Sequence, residues 1–426
     1  MSEGAVSASA RRYAMVILAT VYMFNFVDRQ VLAILLPSIR AEFQVDDTVL
    51  GLLAGTAFAL FYVTLGIPIA RLADRFNRRN LIAIALALWS GMTALSGLAA
   101  NIWHLTLARI GVGVGEAGCS PSAHSMISDL YPPEQRSTAM GFYTLGISAG
   151  IMLAYVAGGW IAQNIGWREA FFVVGMPGLV LALVVWLTVP EPQRGASENR
   201  IDSGGQPTLR EVLRFLSDRR SFRYISISAA LAALVGYAHI NFMPSFFVRS
   251  FGMDVATLGI WLGPINGVVG GAGFFFGGYL ADRVGRESHT RALRFIAASL
   301  FAAAVCFVGV FLANDAYLSL ALFALPSLLM NFNLAPSLSQ TQSLVSLRMR
   351  AVASALILLI LNVVGLGFGP LITGAISDLF EPAFGSDSMR YSLLTVTTLL
   401  LPLAGWGFWR AGHHIEQDLG RADEMD

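Results

Sequence analysis

Twelve predominantly apolar runs divide this chain, at 13–36, 48–70, 80–99, 103–127, 138–162, 167–189, 222–247, 255–280, 292–313, 316–338, 351–377 and 390–410. A helix needs about 20 mostly apolar residues to cross a bilayer, and every run is at or above that length. Only 13% of the 426 residues are charged and 55% are hydrophobic. A soluble domain carries about a quarter charged residues, so lipid is the solvent this chain requires. The expected fold is all-α, with twelve transmembrane helices in two six-helix halves, 1–190 and 222–426, joined by a linker over 191–221.

The arginines set the orientation. All 28 basic residues are Arg. Alternate loops gather Arg11, Arg12, Arg71, Arg75, Arg78, Arg79, Arg136, the linker arginines, Arg283, Arg286 and Arg410, whereas the opposite loops hold Arg40, Arg168, Arg249 and Arg390. By the positive-inside rule both termini are expected in the cytoplasm. Net charge is +1, which gives no reason to expect a nucleic-acid partner. Cys119 and Cys306 lie inside apolar runs and read as small buried hydrophobes. Arg11 and Arg12 precede an apolar run without a small-residue cleavage site, so a retained first helix is expected rather than a signal peptide. In the linker, Thr208 and Glu211 form a capping box, and Leu209, Val212, Leu213 and Leu216 share one face. A short amphipathic helix on the cytoplasmic membrane surface is expected over 208–217, serving as a tether.

Charges inside the runs ask for a reason, because an ionised group at mid-membrane costs a few kcal/mol. Run one contains Asp28 and Arg29 side by side; run four contains Arg109 and Glu116. Seven residues span two helical turns, so Arg109 and Glu116 share a face about 10 Å apart. Adjacent residues diverge by about 100°, so Asp28 and Arg29 need different partners. The natural pairings are Asp28 with Arg109 and Arg29 with Glu116. A buried network that merely clips two helices together is the bland reading; two carboxylates in a wet cavity suit proton exchange better. The glycines of "GVGVGEAG" (111–118) permit a neighbouring helix, or a ligand, to come close.

The chain also repeats itself. "ARLADRFNRRN" (70–80) and "GYLADRVGRES" (278–288) occupy the same place in each half. Two parallel six-helix halves are a transporter architecture, with substrate and coupling ions at mid-membrane. These loops resemble the signature of the major facilitator superfamily. The second copy keeps its glycines, Gly278 and Gly285; the first has Ala70 and Asn77 there. The resemblance implies that Asp74, Arg75, Arg78, Asp282, Arg283 and Arg286 act in gating, as latches on the cytoplasmic side. Beyond the superfamily, "NFVDR" (25–29), "RIGVGVGEAGCSPSAHSMISDLYPPEQRSTAMG" (109–141) and "GWREAFFVVGMPG" (166–178) resemble the Spinster family, lipid-related transporters that include exporters of sphingosine phosphate and of lysophospholipids. That resemblance implies that Asp28, Arg29, Arg109 and Glu116 form the functional cluster; by their chemistry Asp28 and Glu116 are expected to carry protons and Arg29 and Arg109 to hold substrate, in a bacterial inner-membrane protein.

The second half has almost no charge at mid-membrane depth. Its candidate substrate contacts are Tyr237, His239, Asn241, Phe246, Asn331, Asn333 and Asn362. For each Asn the plain alternative is an interhelical hydrogen bond, and for His239 a satisfied core position. One charged wall and one apolar wall suit an amphiphile. The expectation is a proton-coupled secondary transporter of a lysolipid-like or other amphipathic organic anion, acting as a monomer without a cofactor, with membrane lipid and protons as its other partners. A drug or small-carboxylate exporter is the alternative on the same fold, and a non-transporting membrane sensor is a third reading. No nucleotide loop, metal cluster or nucleophile constellation points to an enzyme.

Overall fold

The computed structural model describes residues 7–73, 75–193, 209–286, 288–346 and 349–423. Its first helices are α1 (Ala8–Phe43), α2 (Asp47–Gly51), α3 (Ala57–Ala73), α4 (Arg78–Ser96), α5 (Ile102–Glu116), α6 (Cys119–Leu130), α7 (Pro133–Asn164) and α8 (Trp167–Thr188). After the linker come α9 (Leu209–Ser217), α10 (Arg220–Phe251), α11 (Val255–Pro264), α12 (Gly270–Gly285) and α13 (His289–Leu312). The last are α14 (Ala316–Met330), α15 (Leu334–Ser343), α16 (Arg350–Leu361), α17 (Gly369–Phe384) and α18 (Ser388–Asp423). Among the described residues there is no strand.

Among the described residues, ten helical runs are long and apolar enough to cross a membrane, and the last, Val352–Gly420, has 69 residues. That run is far longer than the roughly 20 residues one crossing takes. The expected fourth span is not among the ten: it divides at Ala117 and Gly118 into α5 with 15 residues and α6 with 12.

Among the described residues, short π-helical stretches interrupt three spans, at Leu52–Thr56, Ile265–Val269 and Asn362–Phe368. The first two fall in the second span of each half, ahead of the repeated Leu-Ala-Asp-Arg, so the internal repeat extends to a shared backbone irregularity. Such insertions mark functional positions in helices more often than neutral ones.

The chain forms two compact units that do not follow the sequence halves throughout. The first comprises Met1–Val45, Thr56–Ser203 and Asp254–Gly267. In it α1 packs on α7, α4 on α8 and α11 on α7. Asp254 caps α11 by accepting the Thr257 N–H at 2.7 Å, and that donation holds its carboxyl below the usual range. The second unit comprises Asp46–Gly55, Gly204–Met253 and Val268–Asp426, with α10 and α13 on α18, and α2 on α17.

The seat of α2 has a clear polar cause. A helix start leaves N–H groups unpaired, and the Asp378 carboxylate accepts those of Asp47 and Thr48 at 2.8 Å each. Asp47, fully buried, accepts from Arg249 Nη1 at 2.5 Å and from Ser377 Oγ at 2.6 Å. The linker helix also packs on protein: Val212 and Leu216 of α9 are buried against α10 and α16, while Leu213 is 44% exposed. Thr208, expected as its cap, lies outside the described residues.

Candidate substrate and proton site

Helices α1 and α5 bring the four charged residues together in the first unit. Close approach is built in by glycine: a Cβ on Gly113 would lie 2.7 Å from the Phe58 carbonyl oxygen, and one on Gly115 would lie 2.7 Å from the Trp89 nitrogen. The glycine run thus serves helix packing, drawing α3 and α4 against α5.

Asp28, Arg109 and Glu116 are each at most 1% exposed, and the Arg29 side chain 9%. Arg29 meets Glu116, with Nη2 at 2.5 Å and Nε at 3.1 Å from the same oxygen, Oε2. Because both donors fork onto one oxygen, Glu116 Oε1 is left buried with no hydrogen-bond partner.

Arg109 differs from the expected pairing. Its Nη1 donates to the main-chain carbonyl of Asp28 at 3.0 Å, and both oxygens of the Asp28 carboxyl are buried without a hydrogen bond. A carbonyl oxygen on a neighbouring helix offers the guanidinium an acceptor whatever the state of the carboxyl.

Sequence reasoning missed the surroundings of Arg29. Its Cζ lies 5.0 Å from the Phe26 ring, 4.9 Å from Phe58 and 5.1 Å from Tyr62, and Arg109 Cζ lies 5.6 Å from Phe58. Each such contact is worth about 0.5–2 kcal/mol, more where water is excluded. Phe58 and Tyr62 come from α3. The only signal in the sequence was aromatic residues at i, i+4 in an apolar run, which lipid-facing helices share.

The candidates of the second half are arranged otherwise. The Asn side chains donate back along their own helices: Asn241 to Tyr237 O at 2.8 Å, Asn331 to Ser327 O at 2.8 Å, Asn333 to Met330 O at 2.6 Å and Asn362 to Leu358 O at 2.9 Å. This local bonding, rather than an interhelical one, is the habit of a short polar side chain in a helix. His239 is 2% exposed, with Nε2 at 2.8 Å from Thr397 Oγ1 and its ring 4.3 Å from Phe307. Thr397 donates its own hydroxyl to Leu393 O at 2.6 Å, so it accepts from His239 and assigns the ring proton to Nε2. Phe246 is fully buried among Phe247, Phe251 and Phe311.

Of the loop residues, Arg75, Asp282, Arg283 and Arg286 are exposed, and Asp74 lies outside the described residues. Arg78 is 1% exposed. It donates to Glu191 Oε1 at 2.8 Å, to Ser125 Oγ at 2.9 Å, to Pro192 O at 2.7 Å and to Asp129. It therefore ties α4 to α6 and to the segment after α8, all in the first unit.

A family model described as Major Facilitator Superfamily matches residues 18–370. The chain belongs to the major facilitator superfamily. It is a multi-pass membrane transporter, not an enzyme. A crystal structure of a bacterial homologue of the human lysosomal transporter Spinster, inward-facing and unoccupied, superposes with a TM-score of 0.88 at 30% identity, covering 97% of this chain and 99% of that one. An "MFS-type efflux pump" of Mycolicibacterium smegmatis is 30% identical over 407 residues, 95% of this chain and 93% of that protein. "Protein spinster homolog 1" of Homo sapiens is 29% identical over 435 residues, 95% of this chain and 81% of that protein. Within the superfamily the similarity is thus to Spinster proteins, as the sequence motifs implied.

Proposed function

We propose that this chain is a proton-coupled secondary transporter that moves a lysolipid-like or other amphipathic organic anion across a bacterial inner membrane by alternating access, working as a monomer. The observation that carries the reading is the pair of buried carboxyls, Asp28 and Glu116, each with an oxygen lacking a partner, beside two arginines. An unpartnered carboxylate oxygen in an apolar surround is costly, and binding a proton removes the charge. Arg29 and Arg109 hold the anionic head, and the rings of Phe26, Phe58 and Tyr62 give the neighbouring apolar surface. The polar residues Tyr237, Asn241, Asn331, Asn333 and Asn362 serve as further contacts, and the loop residues Arg75, Asp282, Arg283 and Arg286 as gating groups. His239 and Phe246 act through the packing of the second unit.

A second reading, export of a drug or small carboxylate, is favoured by the name of the mycobacterial relative. Binding across a homologous series of lysolipids separates the two. Affinity should rise with acyl length by up to about 0.8 kcal/mol per buried methylene and then level off. Arg109→Ala should weaken every chain length alike. A flat series, with a short carboxylate bound as well as a long lysolipid, overturns the lipid assignment.

A further inference from the structure

Helix α4 brings two polar side chains to Asp28 that no charge pairing predicts. Trp89 and Thr93 stand four residues apart, on one face of α4, and both are fully buried. Where α4 packs on α1, both are the polar side chains of α4 that act on the Asp28 carboxyl. Trp89 Nε1 and Thr93 Oγ1 have no hydrogen-bond partner, and neither do the two carboxyl oxygens. Buried polar atoms are nearly always paired, so four orphans meeting at one point need an explanation.

Their chemistry supplies one. An indole N–H can only donate, and a threonine hydroxyl donates as readily as it accepts. Bonds from such donors to an ionised acceptor are roughly twice as strong as bonds between neutral groups. We infer that Trp89 and Thr93 are the donor pair that receives Asp28 when it gives up its proton, and that they set the pH at which it does so. Both are positioning residues, since they act through Asp28. From the packed helices, the charged groups acting on the same carboxyl are Glu116 and Arg109, both on α5; α4 contributes hydrogen bonds without charge. The inference deepens the proton role proposed above for Asp28 and rests on it.

Infrared difference titration of the full-length protein in nanodiscs reads the group directly. The carboxylic-acid C=O band lost in Asp28→Asn belongs to Asp28. In Trp89→Phe and in Thr93→Val its titration midpoint should move to higher pH by about one unit, a tenfold change in proton affinity. Thr93→Ser, which keeps the hydroxyl, should titrate like wild type. Trp89 is fully buried, so if Trp89→Phe fails to fold, the valine and serine variants at position 93 carry the test alone. An unmoved midpoint in Thr93→Val, a move to lower pH, or no titrating band lost in Asp28→Asn overturns the inference. Coupling is measured separately, as uptake by the wild type under an imposed pH gradient. Indifference to the gradient with shifted bands defeats the coupling reading alone; gradient-driven uptake with unmoved bands defeats the donor pair alone.

Discussion

Arg109 reaches across from α5 to the main-chain carbonyl of Asp28, 3.0 Å away, and leaves the carboxyl of that residue without a hydrogen bond. The guanidinium thereby fixes the spacing of the two helices independently of the protonation of Asp28. One arginine holds the scaffold in this way, while the other, Arg29, holds the second carboxyl.

The Arg29–Glu116 pair predicts an asymmetric result. Arg29→Ala leaves Glu116 buried and unpaired and should cost about 3–5 kcal/mol of stability. Replacing both by methionine should recover most of that loss, since removing a whole buried pair is often neutral. Transport should vanish in both proteins. Thermal midpoints of the purified variants, set beside uptake, check this. A double variant no more stable than Arg29→Ala would show that the pair is not the unit that matters.

Arg78 and Arg286 sit at matching places in the repeat and should behave differently. Arg78→Ala strips partners from Asp129 and Glu191 and should cost about 3–5 kcal/mol. Arg286 is exposed, so Arg286→Ala should change stability by less than about 0.5 kcal/mol. Yield of folded protein and thermal midpoint report the difference, and equal effects would contradict the clamp.

His239 should not sit on the proton path. Its ring packs against Phe307 and Phe311, and its hydrogen bond to Thr397 fixes one tautomer. His239→Leu should therefore keep the wild-type midpoint of uptake against pH, with a loss of about 1–3 kcal/mol in stability from the broken bond. A shifted midpoint would place His239 on the proton path.

Much of this protein was legible before its structure. Run length gave the membrane class, and the two Leu-Ala-Asp-Arg loops gave the repeat and the superfamily. What stayed hidden had no one-dimensional trace. Phe58 is fully buried against Arg29 while Leu60, two residues on, is 56% exposed; both read simply as apolar. The pairing of Arg109 with a carbonyl could not be read from charges, because main-chain acceptors occur at every residue. The break at Ala117 and Gly118 was disguised by flanking residues that are apolar enough for a continuous span. The start of span two joins the second unit through Asp378, a contact 330 residues away in sequence.

On the reading proposed above, Asp28 and Glu116 couple proton movement to transport. The most direct test of that coupling is uptake of a labelled lysolipid into proteoliposomes under an imposed pH gradient. The wild type should accumulate the lysolipid in proportion to the gradient, and Asp28→Asn and Glu116→Gln should each lose that component at equal protein content. Gradient-driven accumulation at the wild-type level in both variants would contradict the account.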